Sequence, residues 1–156
     1  MRDEDERYDA RAMDALRRVV HALRVGTAAS QNAVGLSTAQ LFVLRQLRTE
    51  SEQSLVDLAR HTRTTPSSVS EVVARLVKQG LVAREPSALD RRRAVLTLTA
   101  AGAKVVETAP ETVQDRLVKG FSRLDPTRQC ELAEALEVWL EASGLADVAP
   151  TLFFEP

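Results

Sequence analysis

Apolar positions recur at helical spacing through most of the chain, and the pattern changes to alternation only once. Met13, Leu16, Val19, Val20 and Leu23 form one face of a helix running from about Asp3 to Gly26 or a little beyond. No neighbouring segment supplies a cover for that face. Ser37-Thr38-Ala39-Gln40 has the form of a capping box, and the helix behind it directs Leu41, Phe42, Leu44 and Leu47 to a core. Ser54 opens a short helix with Leu55, Leu58 and Ala59 on one side, stopping near His61. Thr65-Pro66 is a cap followed by a proline at the first helical position, where its missing N–H costs nothing. Val69, Val72, Val73, Leu76 and Val77 then make a clean stripe that ends at Gly80. The other face of this helix carries Ser67, Ser70, Glu71, Ala74 and Lys78.

Leu81-Val82-Ala83 and the alternating Val95-Leu96-Thr97-Leu98-Thr99 are the strand-forming segments, and they predict a hairpin. The interval from Arg84 to Ala94, with Pro86 and Asp90-Arg91-Arg92-Arg93, reads as its extended basic tip. Beyond it, Val106, Ala109, Val113, Leu117 and Phe121 keep one helical phase across Pro110, which predicts a single long helix kinked at the proline. Asp125-Pro126 repeats the cap-and-proline start, Leu132, Leu136, Trp139 and Leu140 follow, and Gly144 is the stop. The irregular tail ends in Leu152, Phe153 and Phe154, an apolar cluster that calls for a packing site.

The 156 residues suit one domain that is mainly α with a small β-hairpin. With one cysteine and two histidines, neither a disulfide nor an ordinary structural zinc site is expected, and no cofactor is. The charged start, MRDEDERYDAR, is unlike a secretory signal, and no apolar run reaches membrane-spanning length. A soluble cytoplasmic chain without membrane contact is the expectation. No glycine-rich phosphate loop, metal-spaced His/Cys set or nucleophile elbow is present, so an enzyme is not expected.

Charge changes the picture through its distribution. The net charge is -1, yet Ser54–Lys104 holds nine basic and four acidic residues, while the remainder carries a net -6. Such segregation suits a basic working surface on an acidic body. Ser54–Thr99 reads as a helix-turn-helix followed by a two-stranded wing, in which the second helix enters the major groove. Thr64, Thr65, Ser67, Ser68 and Ser70 are small enough to approach phosphates and bases at the helix start. Arg75 and Lys78 add positive charge further along, and Arg91, Arg92 and Arg93 suit a narrow minor groove. A winged-helix module that binds protein instead of DNA is the rival reading, but it would not concentrate positive charge in this way.

The residues Leu81-Val82-Ala83-Arg84 and Asp90-Arg91-Arg92-Arg93-Ala94-Val95-Leu96-Thr97-Leu98-Thr99-Ala100-Ala101-Gly102 resemble the wing signature of the MarR (multiple antibiotic resistance regulator) family. Asp90, Arg92, Leu96, Leu98, Thr99 and Gly102 match its fixed positions, and the likeness extends in element order over about residues 10–142. The resemblance implies a winged helix-turn-helix over about 37–99 and dimerisation helices over about 3–32 and 100–144. It further implies a homodimer on a pseudo-palindromic site in double-stranded DNA. The implied activity is that of a repressor, less often an activator, released by a small aromatic or phenolic anion. By the same likeness Asp90 braces the wing, Arg92 enters the minor groove, and Arg91 and Arg93 contact phosphates. A ligand pocket between the dimer helices and the reading part has His21, Arg24 and Phe42 as candidate lining residues.

Two positions depart from the family pattern. Glu71 stands where many members have arginine, and it either pairs with Arg75 or accepts from a cytosine amine. Peroxide-sensing members carry a reactive cysteine in the first helix, whereas Cys130 lies in the last and reads as a small apolar residue.

Overall fold

The computed structural model describes residues 2–87, 94–149 and Leu152, with side chains from Tyr8 onward. Among these, seven helices and one hairpin follow in the order α1 (Arg2–Val34), α2 (Thr38–Thr49), α3 (Leu55–His61), α4 (Pro66–Lys78), β1 (Val82–Pro86), β2 (Ala94–Leu98), α5 (Ala100–Thr108), α6 (Val113–Ser122) and α7 (Pro126–Ala142).

The helix starts lie where their caps predict. The Ser37 side chain accepts from the Gln40 N–H while the Gln40 side chain accepts from the Ser37 N–H, completing the capping box. Ser54, Thr65 and Asp125 each accept from the N–H three residues on, and Pro66 and Pro126 occupy first-turn positions. The core gathers Leu41, Val43, Leu44 and Leu47 from α2, Leu58 and Ala59 from α3, Val69, Val72, Val73 and Leu76 from α4, and Val82 and Leu96 from the hairpin. Phe42 and Leu55 are only half-buried against it, and Val77 is exposed. Leu152 joins this core, so the tail does have a packing site there.

Three points refine or correct the expectations. First, α1 extends beyond Gly26, as the bound of about 32 expects, and reaches Val34 before turning at Gly35, whose φ is +70°. Gly26 is a point of close approach, since a Cβ there would stand 2.8 Å from the Val113 Cγ2 atom. Second, β1 continues to Pro86, pairing Arg84 with Leu96 and Pro86 with Ala94, so Arg84–Pro86 is strand and not loop. Proline is tolerated at the end of an edge strand because no ladder bond needs its N–H. Third, the helix across Pro110 is two helices. Ala109, directly before the proline, is extended at φ -66° and ψ 135°, as clash with the proline ring demands. A fresh capping box of Thr112 and Asp115 then starts α6. The two halves also face different surroundings: Val106 and Ala109 pack on the core, whereas Leu117 and Phe121 are exposed.

The wing-to-α5 junction explains its own sequence. The Thr99 hydroxyl donates to the Gly80 carbonyl at 2.7 Å and accepts from the Gly102 N–H at 3.0 Å. This seats α5 so tightly on the end of α4 that a Cβ on residue 102 would lie 2.1 Å from the Leu81 carbonyl oxygen. Gly102→Ala is therefore expected to destabilise the fold by about 1–3 kcal/mol, as overpacking against unyielding atoms does. Urea unfolding checks this, and an unchanged midpoint would show that α5 does not sit there.

Candidate nucleic-acid interface

Burial of one face of α4 determines what its other face does. With Val69, Val72, Val73 and Leu76 buried, Ser67, Ser70, Glu71, Ala74, Arg75 and Lys78 all stand exposed on the opposite side. The stretch leading into this face is a network of hydroxyls. Thr62 donates to the Leu58 carbonyl at 2.8 Å and lies 2.9 Å from the Thr64 hydroxyl. The Thr65 hydroxyl accepts from the Ser68 N–H and lies 3.0 Å and 2.9 Å from those of Ser67 and Ser68. Thr64 and Ser68 are half-buried, Ser67 and Ser70 fully presented. Arg63, with φ +51°, makes the tight turn between α3 and α4.

Arg75 is engaged with another group and Glu71 makes no ion pair among the described residues, so the expected Glu71–Arg75 pair is not formed. An exposed pair spaced by one helical turn gains too little to hold two long side chains together. Beside α4, Arg84 is exposed on β1. Asp90, Arg91, Arg92 and Arg93 lie outside the described residues.

Several residues that position this interface have no local sequence signature. Gln53 in the α2–α3 loop accepts the Leu96 N–H on its carbonyl at 2.8 Å, adding a bridge to the wing. Its side-chain oxygen accepts from the His61 Nδ1 at 2.8 Å, with the Glu50 carboxylate 3.2 Å from the same nitrogen. His61 thereby ties the end of α3 to the base of the wing. The Gln40 amide donates to the Gln79 side chain at 2.9 Å, joining the start of α2 to the end of α4. Arg45 connects this reading unit to α6: it pairs with Asp115 and donates to the Pro110 carbonyl at 2.9 Å. The same Asp115 oxygen accepts from the Thr112 N–H and hydroxyl.

The candidate ligand residues are brought together only in part. His21 and Arg24 line a shallow depression of about 300 Å³ on α1 with Leu16, Arg17 and Val20. Phe42 lies apart, half-buried against the core. A larger cleft of about 500 Å³ runs between α1 and α6. Cys130 is exposed instead of packed, and its thiol donates to a Glu134 carboxylate oxygen at 3.3 Å. That bond and the neighbouring carboxylates push its pKa up, which favours the unreactive thiol over the thiolate. Among the described residues there is no cluster of three His, Cys, Asp or Glu side chains that could hold a metal, and no helix long and apolar enough to cross a membrane.

Known proteins share this arrangement. The sequence profile of the MarR family matches residues 34–93. An uncharacterized HTH-type transcriptional regulator of Mycobacterium leprae is 31% identical over 150 residues, covering 96% of this chain and all of the relative. The HTH-type transcriptional repressor Rv2887 of Mycobacterium tuberculosis is 32% identical over 78% of this chain and 88% of its own length. Its crystal structure superposes with a TM-score of 0.55 over 84% of this chain and 95% of that one. BpsR of Bordetella bronchiseptica, whose DNA binding is regulated by 6-hydroxynicotinic acid, is 27% identical, with a TM-score of 0.58 over 81% of this chain and 90% of that one. The chain, a winged helix-turn-helix that leaves one face of α4 exposed, belongs to the MarR family of transcriptional regulators.

Proposed function

We propose that the protein is a homodimeric repressor that reads a pseudo-palindromic operator and releases it on binding a small aromatic anion. The exposed face of α4, held outward by its buried valine and leucine stripe, carries this reading. In the major groove, Ser67 and Ser70 approach base edges, and Thr64, Thr65 and Ser68 support phosphate contacts at the positive helix start. Arg75 and Lys78 face the backbone, and Glu71 is left to accept from a cytosine amine. Arg92 enters the minor groove, braced by Asp90 and flanked by phosphate contacts from Arg91 and Arg93.

The outer helices supply the dimer, with residues 37–99 as the reading unit between them. α7 buries none of its residues, although helices in proteins draw most of their stability from packing one face. Met13, Leu16, Leu117, Phe121, Leu136 and Trp139 are exposed apolar residues on α1, α6 and α7 that a second copy would cover. Two-fold symmetry then sets the reading helices about one DNA turn apart, roughly 34–36 Å.

For the effector, the depression at His21 and Arg24 offers apolar contact from Leu16 and Val20 and positive charge from Arg17 and Arg24. That chemistry fits an aromatic carboxylate, and the regulation of the related BpsR by 6-hydroxynicotinic acid supports the class.

Fluorescence anisotropy on DNA from upstream of the protein's own gene, titrated across salt, tests the reading. The expected result is tight binding with a steep salt slope that only the same sequence competes away. Arg92→Ala should weaken this complex by about 1–3 kcal/mol, and Lys78→Ala should weaken all DNA alike while reducing the salt slope by about 1. An Arg92→Ala protein with parental affinity would remove the wing from the interface. Sedimentation at micromolar concentration should give the mass of two chains, and a single-chain mass would end the dimer assignment.

A further inference from the structure

The helices α3, α4 and α7 close in the same way. At the end of α4 the Gly80 N–H donates to the Val77 carbonyl and the Leu81 N–H to the Leu76 carbonyl, both at 3.0 Å. At the end of α7 the Gly144 N–H donates to the Glu141 carbonyl at 3.0 Å and the Leu145 N–H to the Leu140 carbonyl at 2.9 Å. At the end of α3 the Arg63 N–H donates to the Arg60 carbonyl at 3.1 Å and the Thr64 N–H to the Ala59 carbonyl at 3.0 Å. This pair of bonds is the Schellman closure, which sets the residue just past the cap in the left-handed region. Gly80 and Gly144 meet that demand at φ +72° and +67° without a Cβ to clash. Arg63 meets it at φ +51° with a Cβ and a long side chain, so it is strained where glycine would not be.

Among the described residues, nothing within the fold offsets that strain. Arg63 is exposed and makes no ion pair there. Its neighbours are engaged: Arg60 is paired with Asp57, and His61 is held by Gln53 and Glu50. Thr62 and Thr64 are half-buried, their hydroxyls 2.9 Å apart, and Thr62 also donates to the Leu58 carbonyl. The two threonines thus lock the turn on either side of Arg63, and Arg63 is the side chain that the turn presents to solvent. Pro66, the first residue of α4, follows three positions on.

We infer that Arg63 stands at this strained position to hold a DNA phosphate at the edge of the groove that α4 enters. The inference rests on the reading by α4 proposed above and adds a contact that belongs to neither the reading helix nor the wing. A guanidinium suits the task, because it is always charged and its planar fork pairs with two phosphate oxygens at once. Such a contact sets the register of the duplex without reading its sequence. A turn already locked by Thr62 and Thr64 loses little backbone freedom when the phosphate arrives.

Arg63→Gly separates strain from binding, because the two effects have opposite signs. Its thermal midpoint should lie about 2–4 °C above the parent's, since the glycine relieves the left-handed strain. Binding is read by fluorescence anisotropy on two duplexes of equal length, one from upstream of the protein's own gene and one of shuffled sequence. On both, Arg63→Gly should bind about tenfold more weakly, with the salt slope reduced by about 1. Arg63→Lys, which keeps the charge and the strain, should melt with the parent and recover the parental slope and most of the affinity. Parental affinity and slope for Arg63→Gly overturn the proposal. An Arg63→Gly protein that melts below the parent also overturns it, since the arginine would then support the fold. So does an Arg63→Lys protein as weak as Arg63→Gly, or a loss confined to the upstream duplex, which would mean a base contact. A parent that binds neither duplex would instead refute the DNA reading on which the inference rests.

Discussion

Four side chains on α4, Val69, Val72, Val73 and Leu76, are withdrawn from water in the cluster that holds Leu41, Val43, Leu44 and Leu47 of α2. At about 1.5–3 kcal/mol for each large apolar side chain fully buried, this contact is strong enough to fix the rotation of α4 about its own axis. Turning the helix by one residue, about 100°, would expose the stripe and bury Ser70, Glu71 or Lys78 in its place. Which face of α4 meets solvent is therefore a consequence of the core. Nothing has to hold the polar side chains outward, because the apolar ones cannot leave.

The attachment of this unit to the outer helices is of another kind. Gly26 lets α1 approach Val113 closely, and Arg45 reaches from α2 to Asp115 and the Pro110 carbonyl at the start of α6. The Arg45 and Asp115 side chains are only 22% and 19% exposed, so removing either partner would leave a charge poorly solvated. The nearby Arg48–Glu107 pair, half-exposed on both sides, contributes much less. One carboxylate thus caps α6 and ties it to α2. The break at Ala109–Thr112 is the price of placing that carboxylate where Arg45 can reach it.

What the sequence reveals divides along the range of the interactions involved. Caps at Ser37, Ser54, Thr65 and Asp125, and the stop at Gly80, act within a few residues, and each lies where its local pattern places it. The α4 stripe is equally legible, because helical periodicity is local. The role of Gly26 is not legible locally, because it is set by Val113, far along the chain. Pro110 misleads because an apolar stripe in phase on both sides does not tell whether both halves face the same neighbour. Here the first half meets the core and the second meets solvent. Glu71 and Arg75 have the spacing of a pair, but spacing only permits an exposed pair and does not make it favourable. Arg45 with Asp115, and His61 with Gln53, join distant segments through ordinary polar residues, so no local pattern marks them.

Segregated charge explains how a chain of net charge -1 can bind a polyanion. The basic surplus lies between Ser54 and Lys104, in the reading helix and the wing, while the acidic residues are concentrated outside that segment. The sign of the field therefore differs from one part of the molecule to another. A polyanion is drawn to the segment with the surplus and turned away from the acidic remainder, so the segregation orients the encounter as well as strengthening it.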